Sequence, residues 1–436
     1  MKTYLKAFAF LALILIGPCI LQGFHAASRT AYASVTNPQS AQSNTALDSI
    51  GVEWSNIFSL IDAYYIDPVD HYACFQKTQA EGLSACLDPW SEYFSAKQWK
   101  EFNEVVSGNY AGVGMVLEPD ADRLKLFPFP GEPAARAGII ANDVLLSVGT
   151  TKVTQARNYS ESDVKRVVDL IRGNAGTAIA VTVLRGGSVI GPISITREHV
   201  TAPSVTYQEV KPLAGSASSP NAGYVKISFF GPSTAAEFQT ALTNLTKNGK
   251  INRFFIFDLR GDGGGEVNAA LSMLEMLAPA DGSLMLTEKF KDHSKEKVAA
   301  KKGAFGDAHG VILVDGFTAS ASEMFSGTLQ DWGKFKLVGE HTYGKGVAQT
   351  SFPLQWPPSA DSPWLKLTVL HYLVGNGRKP IVLGKGLIPD YNVSGVLSPA
   401  EIKQLQKDMK TQDPTKPYLD PAVDKQLEKA LELSTH

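Results

Sequence analysis

The sequence predicts a multidomain α/β protein: an N-terminal helical region, a compact β-rich module, and an α/β core in which helices pack on a sheet. Three observations carry this reading. Between Asp48 and Ser107 the apolar residues recur at helical spacing. Residues 108–198 switch to short alternating runs punctuated by hairpin turns. From Gly223 onward, strongly apolar runs alternate with amphipathic helical stretches, the pattern of a sheet covered by helices.

In chain order, the first segment reads as targeting. Lys2 and Lys6 precede an apolar run from Ala7 to Leu21, and Ala31-Tyr32-Ala33 offers a small-x-small cleavage site. His25-Ala26-Ala27 is a second candidate site. The run is short for a membrane span and is interrupted by Gly17-Pro18. Residues 1–33 are therefore expected to be a cleaved signal peptide, with an uncleaved anchor as the alternative. Pro18 before Cys19 disfavours a lipid anchor there. Export to the periplasm or the extracellular space follows. Contact with a membrane is expected only through this segment, if it is retained. Residues 34–47 are polar and read as a flexible leader.

The helical region, 48–107, places Trp54, Phe58 and Ile61 at i, i+4, i+7, and Trp99 with Phe102 on a further helix. It holds Cys74 and Cys86. An oxidising compartment favours pairing them. One continuous helix between them would separate them by roughly 18 Å, and a disulfide tolerates about 7 Å between Cα atoms. Gly82 or a late helix start would relieve this, so pairing and two buried thiols both stay open.

In the module at 108–198, Val113, Met115 and Leu117 alternate as a strand. Pro133–Gly138 reads as a short helix, Asp143–Val148 as a strand and Ser162–Ile171 as a helix. Ala178–Leu184 and Ser188–Thr196 flank the hairpin turn Gly186-Gly187. The core, 199–397, contains strands at Tyr224–Phe230, Arg253–Leu259 and Val311–Val314. Its helices are expected at Thr234–Thr246, Glu266–Leu277 and Ala319–Trp332. Residues 398–436 are expected to be an exposed helical tail.

Composition narrows the functional class. Of 436 residues, 44% are hydrophobic and 19% charged, and the net charge is −2, so no basic stripe marks a nucleic-acid binder. No histidine falls in a metal-ligand spacing such as H-E-x-x-H. No cofactor is expected.

The chemistry concentrates in three turns. Val314-Asp315-Gly316-Phe317-Thr318-Ala319-Ser320 ends a buried strand and opens a helix. A hydroxyl there meets unpaired backbone N–H groups and the positive end of the helix dipole. That suits a nucleophile whose oxyanion needs donors, although Thr318, Ser320 and Ser322 would also serve as helix caps. Tyr343-Gly344-Lys345-Gly346 places a lysine between glycines. If buried, its amine is neutral and can act as a base. Asp258-Leu259-Arg260-Gly261-Asp262-Gly263-Gly264-Gly265 follows a strand but lacks a nucleotide-binding signature, so its amides suit an oxyanion hole.

In this order the turns resemble the carboxy-terminal processing (tail-specific) serine proteases. Further matches are Tyr65-Ile66-Asp67-Pro68-Val69-Asp70, Leu87-Asp88-Pro89, Tyr110-Ala111-Gly112-Val113-Gly114-Met115, Arg197-Glu198 with Pro203-Ser204-Val205, and Gly384–Asp390. The resemblance implies a PDZ-like module at 108–198 and a Ser320–Lys345 dyad assisted by Gln349. The oxyanion hole would use the amides of Gly265 and Ala321. Ser322 is the stronger rival nucleophile and Thr318 the weaker. Gly112, Val113, Gly114 and Met115 would grip a peptide carboxylate. The implied partners are protein or peptide substrates with unstructured apolar C-termini, with room for an adaptor protein. One departure is visible: Leu373–Arg378 replaces the Thr-Pro-Ser-Gly-Arg element usual there, which leaves substrate preference near that loop in doubt. The alternatives are a catalytically silent PDZ scaffold and a hydrolase dependent on His341.

Overall fold

A computed structural model of the protein describes residues 45–81, 83–106, 109–120, 123–129, 131–153, 161–213, 221–247, 249, 251–375, 379–381, 385–395 and 419–434. The expected signal segment, most of the leader, part of the tail and the end of the 373–378 loop lie outside them. Among the described residues no helix is long and apolar enough to cross a membrane.

The N-terminal region holds α1 (Thr45–Tyr64), α2 (His71–Glu81), the short strand β1 (Glu92–Phe94) and α3 (Ala96–Val106). Helix α2 stops at Glu81, and a 3-10 turn covers Leu83–Ala85. The chain reverses there instead of continuing as one helix. Cys74 and Cys86 are thereby brought to 5.0 Å between Cα atoms and form a disulfide. The region does not stand apart from the core. Ile57, Leu60, Ile61 and Tyr65 belong to the same apolar cluster as the core helices, and β1 pairs with a core strand, Phe94 opposite Trp364. Amphipathic helices of this length bury their apolar face on a neighbour, and the core offers the largest apolar surface.

The middle module comprises β2 (Asn109–Gly112), β3 (Met115–Asp120), β4 (Arg123–Pro128), α4 (Pro133–Arg136), β5 (Asp143–Val148), β6 (Thr151–Lys152), α5 (Glu161–Ile171), β7 (Ala178–Arg185), β8 (Ser188–Thr196) and β9 (Glu198–Thr201). Its sheet runs β3-β4-β5-β7-β8 with β6 on β5, and every pairing is antiparallel. Strand β3 lies at the edge. The entering and leaving strands β2 and β9 pair with each other, Gly112 opposite Glu198. The module has its own core of Leu124, Leu126, Val181, Val183 and Ile195.

The remaining elements build two sheets. They are β10 (Val205–Val210), β11 (Asn221–Ile227), α6 (Thr234–Thr246), β12 (Ile251–Asp258), α7 (Val267–Leu277), β13 (Leu284–Phe290), β14 (Ser294–Val298) and β15 (His309–Val314). After them come α8 (Ala321–Asp331), β16 (Phe335–Gly339), β17 (Val347–Pro353), β18 (Trp364–Val374), β19 (Lys379–Pro380), β20 (Tyr391–Asn392) and α9 (Lys425–Leu433). One sheet runs β10-β11-β12-β15-β16-β20 and is parallel from β11 onward. Helices α6, α7 and α8 cover one face through Phe238, Leu242, Met273, Leu274, Phe325 and Leu329. A second, antiparallel sheet is organised around the long strand β18; periodicity in the sequence did not reveal it.

The expectation of an exposed C-terminal tail is overturned for α9. Leu427, Ala430 and Leu431 recur at i, i+3, i+4 and are fully buried against Tyr224, Ile256 and Leu313 on the other face of the parallel sheet. Arg260 fixes the helix start by bonding Asp424 at 2.9 Å and Gln426 at 3.2 Å.

Candidate active site

The site lies where β12 and β15 end. Strand β15 is buried through Val314, and the chain then turns through Asp315–Ala319 into α8. Asp315 shapes that turn by accepting from the N–H groups of Gly261, Phe317 and Thr318. Ser320 stands at the elbow with φ 58° and ψ −120°. A residue with a side chain adopts such a conformation only when its surroundings impose it.

The surroundings distinguish the three hydroxyls. Thr318 is fully buried and its Oγ1 donates to the Leu259 carbonyl at 2.9 Å. Ser322 is fully buried one residue inside the helix. Ser320 alone occupies the elbow. Its neighbours Ala321 and Gly265 carry N–H groups that donate to no described residue. The loop holding Gly265 is pressed onto the elbow. A Cβ at Gly264, where φ is +99°, would lie 2.8 Å from Ser320 Cβ and 2.9 Å from Ala321 N. A Cβ at Gly265 would lie 2.0 Å from the Phe230 carbonyl oxygen. Glycine is required at both positions by close approach and by positive φ.

Lys345 is 2% exposed. Its Nζ donates to Gln349 Oε1 at 3.0 Å, and Gln349 Nε2 donates to Thr368 Oγ1 at 3.0 Å. The indole of Trp90 covers the amine 4.7 Å from its centroid. Burial holds the amine well below the ordinary lysine value. The Lys366 ammonium adds to this effect, and Asp88 and Glu323 oppose it. No hydrogen bond joins Lys345 Nζ to Ser320 Oγ among the described residues. His341 is exposed and turns to the Lys385 carbonyl at 3.3 Å, so it supplies no base to Ser320.

Two residues with a part in this geometry are not among those the sequence marked as functional. Glu323 accepts from the Ser320 N–H at 2.9 Å, Thr342 Oγ1 at 2.5 Å, the Gly344 N–H at 2.7 Å and the Lys345 N–H at 2.7 Å. Its carboxylate thus ties the elbow to the lysine turn. Ser320-x-x-Glu323 is the spacing of a capping box, so the sequence carried that signal. Trp90 carried none, being remote from Lys345 in the chain. It is placed by Asp88, which accepts from the Trp90 N–H at 2.7 Å, and by Ser91 Oγ, which accepts from the Thr368 N–H at 3.0 Å.

In the middle module, Gly112, Val113, Gly114, Met115 and Leu117 form one wall of a cleft of about 150 Å³, and Val164, Val168, Ile171 and Arg172 form the other. Val113 and Met115 also pack into the module's core. Gly114 has φ +69°, and a Cβ there would lie 2.4 Å from Glu132 Cβ. A bulky residue at 114 would therefore distort the loop whether or not a peptide binds. Among the described residues no cluster of His, Cys, Asp and Glu could hold a metal ion.

A buried-lysine site beside a serine elbow, with a small β-rich module attached, defines a class: serine peptidases equipped for peptide binding. Comparison with known proteins agrees. The model of peptidase family S41 matches residues 221–393, and a PDZ-domain model matches 130–185. A probable CtpA-like serine protease of Staphylococcus aureus (strain COL) is 30% identical over 397 residues, spanning 90% of this chain and 74% of that protein. One from Staphylococcus epidermidis (strain ATCC 12228) is 32% identical over 313 residues, 70% of this chain but 58% of the relative's length. A putative S41 protease from Bacteroides fragilis shares the fold, with a TM-score of 0.51 at 16% identity over 91% of this chain and 98% of that one. The photosystem II D1 C-terminal processing protease aligns with a TM-score of 0.48 and 23% identity over 81% and 94%. The chain belongs to peptidase family S41, the carboxy-terminal processing serine proteases with a PDZ domain.

Glu323→Gln tests the tie between the two turns. An amide replaces one acceptor oxygen by a donor, so at least one of the buried N–H groups loses its partner. The expected cost is about 2–4 kcal/mol, read as a lower urea midpoint with an unchanged slope.

Proposed function

We propose that the protein is an exported serine endopeptidase that cleaves protein substrates near their C-termini through Ser320 and Lys345. The observation that carries the reading is the lysine amine sealed under Trp90, lowered by burial and oriented by Gln349, next to a strained serine elbow. Ser320 Oγ attacks the scissile carbonyl carbon while its proton passes to the neutral Lys345 Nζ. The carbonyl oxygen becomes an oxyanion that accepts from the Gly265 and Ala321 N–H groups. The resulting ammonium returns the proton to the leaving amine, and water then hydrolyses the acyl ester by the same base. Without substrate the amine rests on Gln349; catalytic contacts of this kind often close only in the complex.

The PDZ module is assigned capture of apolar C-termini. Edge strand β3 can accept an added peptide strand, and the apolar wall of α5 suits aliphatic side chains. Backbone N–H groups of the Gly112–Met115 turn would hold the terminal carboxylate.

Ser320→Ala and Lys345→Ala are each expected to lower kcat/KM on an unstructured peptide at least roughly 10²-fold while leaving the fold intact by circular dichroism. Near-normal turnover by either would remove the dyad. Because the base must be neutral, the wild-type rate should rise as pH rises through the lowered folded pKa of Lys345. Trp90→Ala admits water to the amine, so it should move that limb to higher pH, and Trp90→Phe should restore it.

For the PDZ module, peptides with a free apolar C-terminus should bind the full chain at least about tenfold more tightly than their amidated forms, since the charge-assisted contacts are lost. Equal affinities by calorimetry on the Ser320→Ala protein would exclude carboxylate capture.

A further inference from the structure

The glycine loop after β12 carries a titratable side chain that the dyad leaves unused. Asp262 is fully buried. Its Oδ1 accepts from the Gly264 N–H at 2.8 Å, and its carbonyl accepts from the Ala319 N–H at 3.0 Å. It thus joins the glycine loop to the serine elbow from beneath. Among the described residues its second oxygen, Oδ2, meets no N–H donor, and the neighbouring polar group is the buried Ser322 hydroxyl. A carboxylate needs several donors when removed from water, and this one meets only two neutral groups, the Gly264 N–H and the Ser322 hydroxyl. Placing a proton on Oδ2 removes a fully buried charge that no cation contacts, and it keeps a bond with Ser322 by letting Oδ2 donate to the serine Oγ.

We propose that Asp262 is a positioning residue that works in its protonated form, bracing the loop that presents the Gly265 and Ala321 amides without setting a negative charge beside them. This rests on the reading of those amides as the oxyanion hole. An ionised carboxylate bonded to the Gly264 N–H would oppose the negative charge that develops on the substrate oxygen, so ionisation lowers the rate. Burial pushes the carboxyl up to about 7. Asp315, in the turn after β15, pushes in the same direction. The Gly264 N–H and the Ser322 hydroxyl of α8 hold it down, as does Lys226 of β11, which is otherwise engaged with Asp258 and the Arg260 carbonyl. The titration therefore falls in a range where an exported protein can meet it.

The test compares wild type with Asp262→Asn in the full chain. An asparagine reproduces the protonated carboxyl: its oxygen accepts from Gly264 and its amide donates to Ser322. Cleavage of an unstructured peptide is followed from pH 5 to 10. Wild-type kcat/KM divided by that of the variant is expected to fall above about pH 7. The variant should exceed wild type at least about tenfold at pH 9. A ratio independent of pH, or a folded variant inactive at every pH, overturns the proposal. Thermal unfolding gives a readout free of catalysis. The folded pKa is raised, so the neutral group's stabilisation is complete below the unfolded carboxyl value and is lost as pH rises through about 7. The midpoint of wild type relative to Asp262→Asn should fall between pH 4 and 7 and then level. A difference independent of pH overturns the titration. If Ser320→Ala stays active while the midpoints behave as expected, the dyad fails and the Asp262 titration stands.

Discussion

Two turns separated by a helix and a strand meet on one buried carboxylate. Glu323 sits in the first turn of α8 and accepts from the serine elbow behind it and from the Thr342–Lys345 turn beside it. Burial pushes its carboxyl above the ordinary value, and four donors hold that shift back. Removing a charge from water is expensive unless it is fully bonded, so the arrangement is tolerated only in the folded geometry that supplies all four. The strained φ of Ser320 persists for the same reason. One interaction thereby sets the elbow, the lysine turn and the distance between them.

The parallel sheet explains why the turns converge at all. Strands β12 and β15 are neighbours in it and run the same way, so the loops after them emerge side by side. Loops at the carboxyl ends of parallel strands are where such sheets place their chemistry. Arg260, at the start of the glycine loop, also bonds Asp258, Asp424 at the cap of α9 and Gln426 in its first turn. The C-terminal helix is therefore part of the support beneath the glycine loop.

The lysine owes its environment to a different part of the chain. The Cys74–Cys86 disulfide and the pairing of β1 with β18 hold the two ends of the segment that carries Trp90. Between them, Asp88 takes the N–H groups of Trp90 and Ser91, and Ser91 passes the contact to Thr368 and so to Gln349. The N-terminal region thus acts as a strap that seals the amine, while the PDZ module keeps a separate core and joins through the paired strands β2 and β9.

The local patterns were legible in the sequence. The helices α6, α7 and α8 announce themselves by period and the strands β12 and β15 by unbroken apolar runs, the serine and glycine turns by their place between strand and helix, and the lysine turn by its flanking glycines. The S-x-x-E spacing even foreshadowed the bond from Glu323 to the elbow. The tertiary structure decided what sequence-local rules do not reach. It closed the disulfide by ending α2 at Glu81, buried α9 rather than leaving it exposed, and assembled the antiparallel sheet around β18. It also sealed Thr318 and Ser322 away from the elbow, laid Trp90 over Lys345 and left Asp262 short of donors. Periodicity reports which face of an element is apolar, because that is a property of neighbours along the chain. Which groups lose water together depends on contacts between residues far apart in sequence, and only the folded chain fixes those.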